Sequence, residues 1–430
     1  MVAGAISGGA EEGGVLAILK ERFFKMKNEE DIVIVSAVRT PFSRFDSAMA
    51  DIASLDLGVM VMKEVVSRVG VKPAEVDEIN YGSCVMAEMA LETDIPARQA
   101  SLLAGFPPEC LSVTLDRACC SSLTALRMGY RAIRAEEAQI CMAVGAENMP
   151  RTPHLAPGLR KGIRIGHIRL IDCLFDLGYT AKGFAPVAVD AGEVALEYGV
   201  TREMQDKWAV LSQDRYAKAF AEGKIKVGEE IMPVIIPQKK GDPIVIDRDE
   251  SPRKTSLEAL AKLKTIYGSP TITPGNAPPI SAGASAILFM TRKKAEEKGL
   301  KPLATILTSI GTATTPRNIA VIPAMTIQSA LERVGMSIDQ MDLIEINEAF
   351  AAMPLVSTKI LAGGDEVKWK ALQAKTNVNG GAIAIGHPVG ASAARITMHL
   401  AYELNRRGGG VGIASICGGL AQGEAVILKV

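Results

Sequence analysis

The chain has 430 residues, 48% apolar and 22% charged, with 48 basic side chains against 48 acidic ones. That balance offers no basic face for nucleic acid or an anionic membrane, and no apolar run reaches the length of a membrane span. The length exceeds one ordinary core, so two or three domains are expected, and seven cysteines without a Cys-x-x-Cys pair read as the reduced thiols of a cytoplasmic chain.

Residues 1–25 stand apart. "MVAGAISGGAEEGG" is rich in Gly and Ala and carries Glu11 and Glu12 but no early Lys or Arg, unlike a targeting peptide. An extension outside the fold is expected there. From Met26 the chain runs into a β-branched strand, "DIVIVSAV" (31–38). "EINYGSC" (78–84), a short buried strand in "CLSVTL" (110–115) and "QICMAVGAE" (139–147) follow. The region 151–275 differs. It is rich in Pro, Gly and Arg, with one capped amphipathic helix expected over 200–225, and reads as an inserted lid of loops and helices. Strand patterns then return: "ATILTSIG" (304–311), "DLIEINEAF" (342–350), "VGIASIC" (411–417) and "EAVILKV" (424–430). The alternation argues an α/β fold. An N-terminal half at 26–150 and a C-terminal half at 276–430 are expected, with 276–300 completing the first.

The two halves echo each other. "VKPAEVDEINYGS" (71–83) parallels "MSIDQMDLIEINEAF" (336–350), and Asp77 precedes Cys119 at nearly the offset at which Asp342 precedes His387. A duplicated βα module explains this better than chance. If the copies pack about a pseudo-twofold axis, the turns carrying Cys119 and His387 are equivalent and face one cleft.

"RACCSS" (117–122) lies between a strand and a helical pattern of Leu123, Leu126, Tyr130 and Ile133. Ser121 and Ser122 are good N-cap types. A thiol at such a turn meets backbone amides and the helix dipole, which lower its pKa and raise its thiolate fraction. Local physics does not choose between Cys119 and Cys120, and a buried packing role is open to both. Three further stretches carry chemistry-bearing residues. Asn347 ends a strand in "INEAF". His387 stands between Gly386 and Pro388 in a stretch whose Gly380, Gly381, Gly386 and Gly390 let backbone approach a ligand. Cys417 ends a strand and opens the turn "CGGLAQGEA".

In order and spacing these four stretches resemble the nucleophile, Asn-Glu-Ala-Phe, Gly-His-Pro and C-terminal cysteine boxes of the thiolases, which make or cleave 3-ketoacyl-CoA thioesters. "PARQASLLAGFP" (96–107) and "AVGAENMPRTPH" (143–154) are similar to family segments too, and the likeness runs from about residue 30 to the C-terminus. The resemblance implies Cys119 as the nucleophile, with Cys120 in a small-residue slot. It implies His387 as its base, Cys417 as the thiol exchanging an α-proton, and Asn347 as holder of an oxyanion-hole water. Gly419 and Cys119 would supply amides to a second oxyanion hole. It further implies acyl-CoA and CoA as substrates with no tightly bound cofactor and no metal. A homo-oligomer, dimer or tetramer, is implied as well. Arg253 stands where the family places a basic contact to the nucleotide of CoA, though a solvated arginine fits equally.

The chain also departs from the family pattern. "GNAPPISAGASA" (275–286) puts Pro278 where a serine usually contacts the pantetheine arm, and proline offers no hydroxyl. In the lid, Pro186, Val187 and Ala188 replace a His-Met-Gly stretch. An altered acyl preference over an ordinary catalytic floor is expected. A β-ketoacyl synthase of the same superfamily, or a non-catalytic acyl-CoA binder, are the competing readings.

Overall fold

The computed structural model describes residues 30–176 and 182–430, so the expected extension at 1–25 lies outside the described residues. Nine strands form the main sheet: β1 (Ile32–Arg39), β2 (Glu78–Gly82), β3 (Leu111–Leu115), β4 (Ile140–Asn148), β5 (Ala282–Thr291), β6 (Ala304–Ala313), β7 (Leu343–Ile346), β8 (Val411–Gly418) and β9 (Gln422–Lys429). Their order is β7-β8-β9-β6-β1-β5-β4-β2-β3.

That order repeats itself outward from the β6–β1 junction. On one side β1, β5 and β4 pair antiparallel, and β4 then takes β2 in parallel. On the other, β6, β9 and β8 pair antiparallel, and β8 takes β7 in parallel. Even β3, parallel to β2, has a vestigial counterpart in the parallel bridge between Ile344 and Thr376. The echo seen in the sequence is thus a structural duplication about a pseudo-twofold axis.

Two strands differ from expectation. β5 was not among the expected strands, yet it lies between β1 and β4 with nine of its ten residues buried. Its run "AGASAILFMT" is led by small residues and shows little of the β-branched signal that marks a strand. β3 was expected to be buried. It is the edge strand, with Leu111 68% and Val113 37% exposed. Apolar content does not distinguish a central strand from an edge that lacks an outer neighbour.

Seven helices matter for the site: α1 (Ser54–Ser67), α2 (Ser121–Arg134), α3 (Val187–Glu197), α4 (Arg202–Ala221), α5 (Ile322–Val334), α6 (Ala352–Leu361) and α7 (Ser392–Arg406). α2 and α7 are the equivalent helices of the two halves. They share one core through Leu123 and Leu126 on α2 and Ile396 and Leu400 on α7. Leu123 and Leu126 fall at the three-residue spacing that puts side chains on one helical face.

The serines expected as caps do something else. Cys120 takes the N-cap position and Ser121 opens the helix. The Ser121 hydroxyl accepts from the Arg117 amide and donates to the Ala118 carbonyl. The Ser122 hydroxyl accepts from the Ala394 amide at the start of α7, stitching the halves together.

The seam is closed by glycine. A Cβ on Gly145 would lie 2.2 Å from the Gly390 carbonyl oxygen, so only glycine permits this approach. Glu147, two residues on, is fully buried and accepts from the amides of Cys84 and Val85 in one half and Gly390 in the other.

The inserted region is more than a flap. Its helices α3 and α4 place Ala188, Ala191, Trp208 and Ala209 in the core of the C-terminal half. The loop before them is exposed over 157–170 and pinned by a small ribbon of His154–Leu155 and Ile171–Asp172.

Candidate active site

β3 ends at Leu115, and the chain must turn sharply to start α2. It does so through Ala118, whose φ of +49° is left-handed. For an L-residue that conformation costs roughly 1–2 kcal/mol. The Asp116 carboxylate holds it by accepting from the Ala118 amide at 2.7 Å. The next side chain, Cys119, enters a cavity of about 230 Å³. Cys120 turns the other way, its buried thiol donating to the Ile416 carbonyl at 3.5 Å. The two thiols left open by local sequence reasoning are therefore separated by direction, and only Cys119 reaches the cavity.

His387 meets Cys119 from the equivalent turn of the other half, with 3.2 Å between Nε2 and Sγ. The imidazole tautomer follows from its other partners. The Ser392 hydroxyl donates to the Pro388 carbonyl at 2.8 Å, so it must accept from Nδ1–H, which lies 2.6 Å away. Nε2 is then unprotonated and presents its lone pair to the thiol. Asn347, just past β7 and fully buried, points its amide nitrogen at the same Nε2 from 3.4 Å. Its carbonyl oxygen accepts from Arg395 at 3.5 Å. Behind Asn347, Glu348 is anchored by Trp208 of α4, Ser212 and Asn377 and by the Ile383 amide.

The electrostatics depart from expectation at the thiol. The helix N-terminus was expected to lower the Cys119 pKa. Burial raises it instead, and the neighbouring Cys417 adds to the rise. A helix terminus supplies only about 0.3–1 kcal/mol at an exposed site, too little against desolvation from both halves. His387 is pushed down to about 3, by burial first and by Arg395 second. The resting pair is thus a neutral thiol beside a neutral base.

Cys417 closes the far side at the end of β8, with burial pushing its thiol up to about 12. Cys417, Gly418 and Gly419 line the same cavity as Cys119 and His387. Above them the wall is apolar, with Met149, Val187, Pro278, Ile280 and Phe350. A second cavity, of about 300 Å³, shares Met149, Val187, Tyr267, Ile280 and Phe350 with the first. Pro278 and Val187 therefore stand in the cleft. Arg253 does not line either cavity. It is exposed, and its guanidinium reaches the Pro274 carbonyl at 3.4 Å.

Sequence reasoning assigned no role to Ser392, Arg395 or Glu147. The first two sit inside the "GHPVGASAAR" stretch at i and i+3, the spacing that sets two side chains on one helical face. That was the available signal. The cavity thus presents a thiol in contact with its base and a second thiol, with an amide donor behind the base, the parts needed to move an acyl group between sulfur atoms and to exchange a proton at carbon.

Comparisons with known proteins cover the chain that carries these residues. The family model described as "Thiolase, N-terminal domain" matches residues 32–293, and "Thiolase, C-terminal domain" matches 300–430. Acetyl-CoA acetyltransferase from Pseudomonas aeruginosa is 39% identical over 402 residues, covering 93% of this chain and 99% of that one. The Cupriavidus necator protein of the same name is 40% identical over the same span. Among solved structures, human mitochondrial 3-ketoacyl-CoA thiolase in complex with CoA superposes with a TM-score of 0.85 at 32% identity, covering 94% of this chain and 98% of that one. Acetyl-CoA acetyltransferase from Bacillus anthracis gives 0.86 at 34%, covering 93% and 98%. With both family domains matched end to end, and relatives near 40% identity across almost the whole chain, this protein belongs to the thiolase family.

Proposed function

We propose that this thiolase cleaves 3-ketoacyl-CoA with CoA, and runs the reverse Claisen condensation, through an acyl-Cys119 intermediate. The observation that carries the reading is the 3.2 Å contact between Cys119 Sγ and the unprotonated Nε2 of His387, with Cys417 in the same cavity.

In cleavage, Cys119 attacks the 3-keto carbon as His387 takes the thiol proton. The bond between C2 and C3 breaks. The departing acetyl-CoA enolate takes a proton from Cys417. The imidazolium returns its proton to the Cys417 thiolate. CoA then attacks acyl-Cys119 as His387 takes the CoA thiol proton, and that proton passes to the Cys119 thiolate as the shortened acyl-CoA leaves. In condensation the same groups act in reverse, with Cys417 removing the α-proton of acetyl-CoA. Asn347 stabilises the thioester oxyanion beside His387 through a water, and backbone amides at Cys119 and Gly419 serve the other oxyanion. CoA is a substrate in this scheme, and no tightly bound cofactor enters it. Arg253 meets the nucleotide end of CoA from the surface.

Pro278 and Val187 set the acyl preference. Replacing a hydroxyl by proline removes one neutral hydrogen bond, about 0.5–1.5 kcal/mol, whereas pocket shape discriminates by about 1–3 kcal/mol per methylene. Shape therefore dominates. Turnover with a 3-ketoacyl-CoA longer or bulkier than acetoacetyl-CoA is expected to match or exceed that with acetoacetyl-CoA. A panel of chain lengths tests this, and strict selectivity for acetoacetyl-CoA would sink it.

A homo-oligomer, dimer or tetramer, is part of the proposal. Its support is the edge of β3, which has no partner strand among the described residues and leaves Leu111 and Val113 exposed. An intracellular setting, in the cytoplasm and in fatty acid metabolism by β-oxidation, fits a chain with seven cysteines and no Cys-x-x-Cys pair.

A further inference from the structure

Arg395 is among the most deeply buried charged residues, 2% exposed, and the mechanism above does not use it. Its nearest carboxylate is Glu345, at 3.6 Å. Among the described residues the Arg395 Nε and the Glu345 Oε2 both lack a hydrogen-bond partner. Burial also pushes the Glu345 carboxyl up to about 7, so the carboxylate is a weak counter-charge. A buried, incompletely paired guanidinium is costly, and an apolar side chain of the same bulk would be cheaper in stability. Such a residue calls for an explanation other than packing.

The explanation lies in what it touches. Arg395 follows Ser392 by one helical turn on α7, so both project to the same side. Ser392 holds one end of the reactive pair, at His387 Nδ1. Arg395 holds the other, donating to the Asn347 side-chain oxygen at 3.5 Å. That contact fixes which way the amide points. Its NH2 then faces His387 Nε2. A flipped amide would set donors against each other at Arg395 and lone pairs against each other at His387.

We infer that Arg395 is a positioning residue for the oxyanion site: it locks the Asn347 amide with its donors toward His387 Nε2 and sets a buried positive charge behind them. The charge strengthens those donors when negative charge develops on the substrate oxygen, and it is in place before the reaction begins. Binding of the ground-state substrate, which carries little charge on that oxygen, gains far less.

This rests on the thiolase reading, and the experiment separates the two. In Arg395→Met, kcat for acetoacetyl-CoA thiolysis is expected to fall about 10–100-fold, below the loss typical of deleting an oxyanion donor outright, with KM within about threefold. Arg395→Lys keeps a cation and a donor, and should hold kcat within about fivefold. On an Asn347→Ala background the Met substitution should cost no more than about twofold, because the group it acts through is gone. Alkylation of Cys119 by iodoacetamide, which needs no oxyanion site, should be no slower in Arg395→Met than in the wild type. If Arg395→Met does not fold, Arg395→Gln takes its place in the same cycle. A full loss that persists on the Asn347→Ala background, or alkylation falling in step with kcat, would overturn the inference. A wild type that turns over no 3-ketoacyl-CoA would remove the thiolase reading and this inference with it.

Discussion

Ser392→Ala is the sharpest test of the acid–base arrangement. Ser392 is fully buried and does not line the substrate cavity, so it affects chemistry only through His387. Removing its hydroxyl leaves two outcomes for the ring. Either Nδ1–H stays and is buried without a partner, at about 1–3 kcal/mol, or the proton moves to Nε2. In the second case Nε2 faces Cys119 as a donor and cannot accept the thiol proton. Either way the reactive tautomer is less favoured by about 1–3 kcal/mol, a loss of roughly 5- to 150-fold in the acylation rate. Stability should fall by a similar amount, which a chain of this size tolerates. Thiolysis of acetoacetyl-CoA, followed by loss of its ultraviolet absorbance, should show a lower kcat at nearly constant KM. Urea denaturation would confirm that the variant is folded. A folded Ser392→Ala enzyme with kcat within twofold of wild type would refute the tautomer assignment.

Cys119→Ala should abolish acyl-enzyme formation with acetyl-CoA while Cys120→Ala retains it, and mass spectrometry of the peptide would locate the adduct; an acyl group on Cys120 would reverse the assignment. Cys417→Ala should still be acylated at Cys119 but stall at making or breaking the carbon–carbon bond, and a folded variant that is not acylated would argue against separate roles for the thiols. The pH dependence of alkylation tests the resting charge state. His387 stays neutral until well below neutrality and the Cys119 thiol titrates above its usual range, both chiefly through burial, so iodoacetamide reactivity should keep rising with pH through neutrality; a plateau between about pH 5 and 8, the mark of a preformed thiolate–imidazolium pair, would contradict this.

Much of the fold was legible because its strands carry β-branched runs and its halves repeat. β5 was not, since Gly, Ala and Ser leave little pattern to read. β3 was legible as a strand but not as an edge, because exposure on the outer side is decided by which strands assemble next to it. At the site, the positions of Cys119, His387, Cys417 and Asn347 could be marked from motif order. The choice of Cys119 over Cys120 needed either family register or the three-dimensional turn at Ala118. The direction of the Cys119 pKa was misread for a physical reason. A local segment shows the helix terminus that lowers it, but not the walls, brought from residues hundreds of positions away, that remove its water. Ser392 and Arg395 were visible as letters, yet their partners at His387 and Asn347 become neighbours only when α7 docks.

The glycine-lined seam has a consequence for the life of the chain. Cys119 and His387 are 268 positions apart in sequence, and backbone meets backbone where Gly145 lies against Gly390. During synthesis the first half emerges with its thiol but without a base. No intermediate holding one finished half can activate that thiol, because the base arrives with the second copy of the module. Reactivity is therefore a property of the last docking event, and a nascent or partly unfolded chain in the presence of acyl-CoA keeps an inert cysteine. A methyl group at position 145 would act as a wedge on that event, silencing the enzyme by holding two intact halves apart with every catalytic side chain still present.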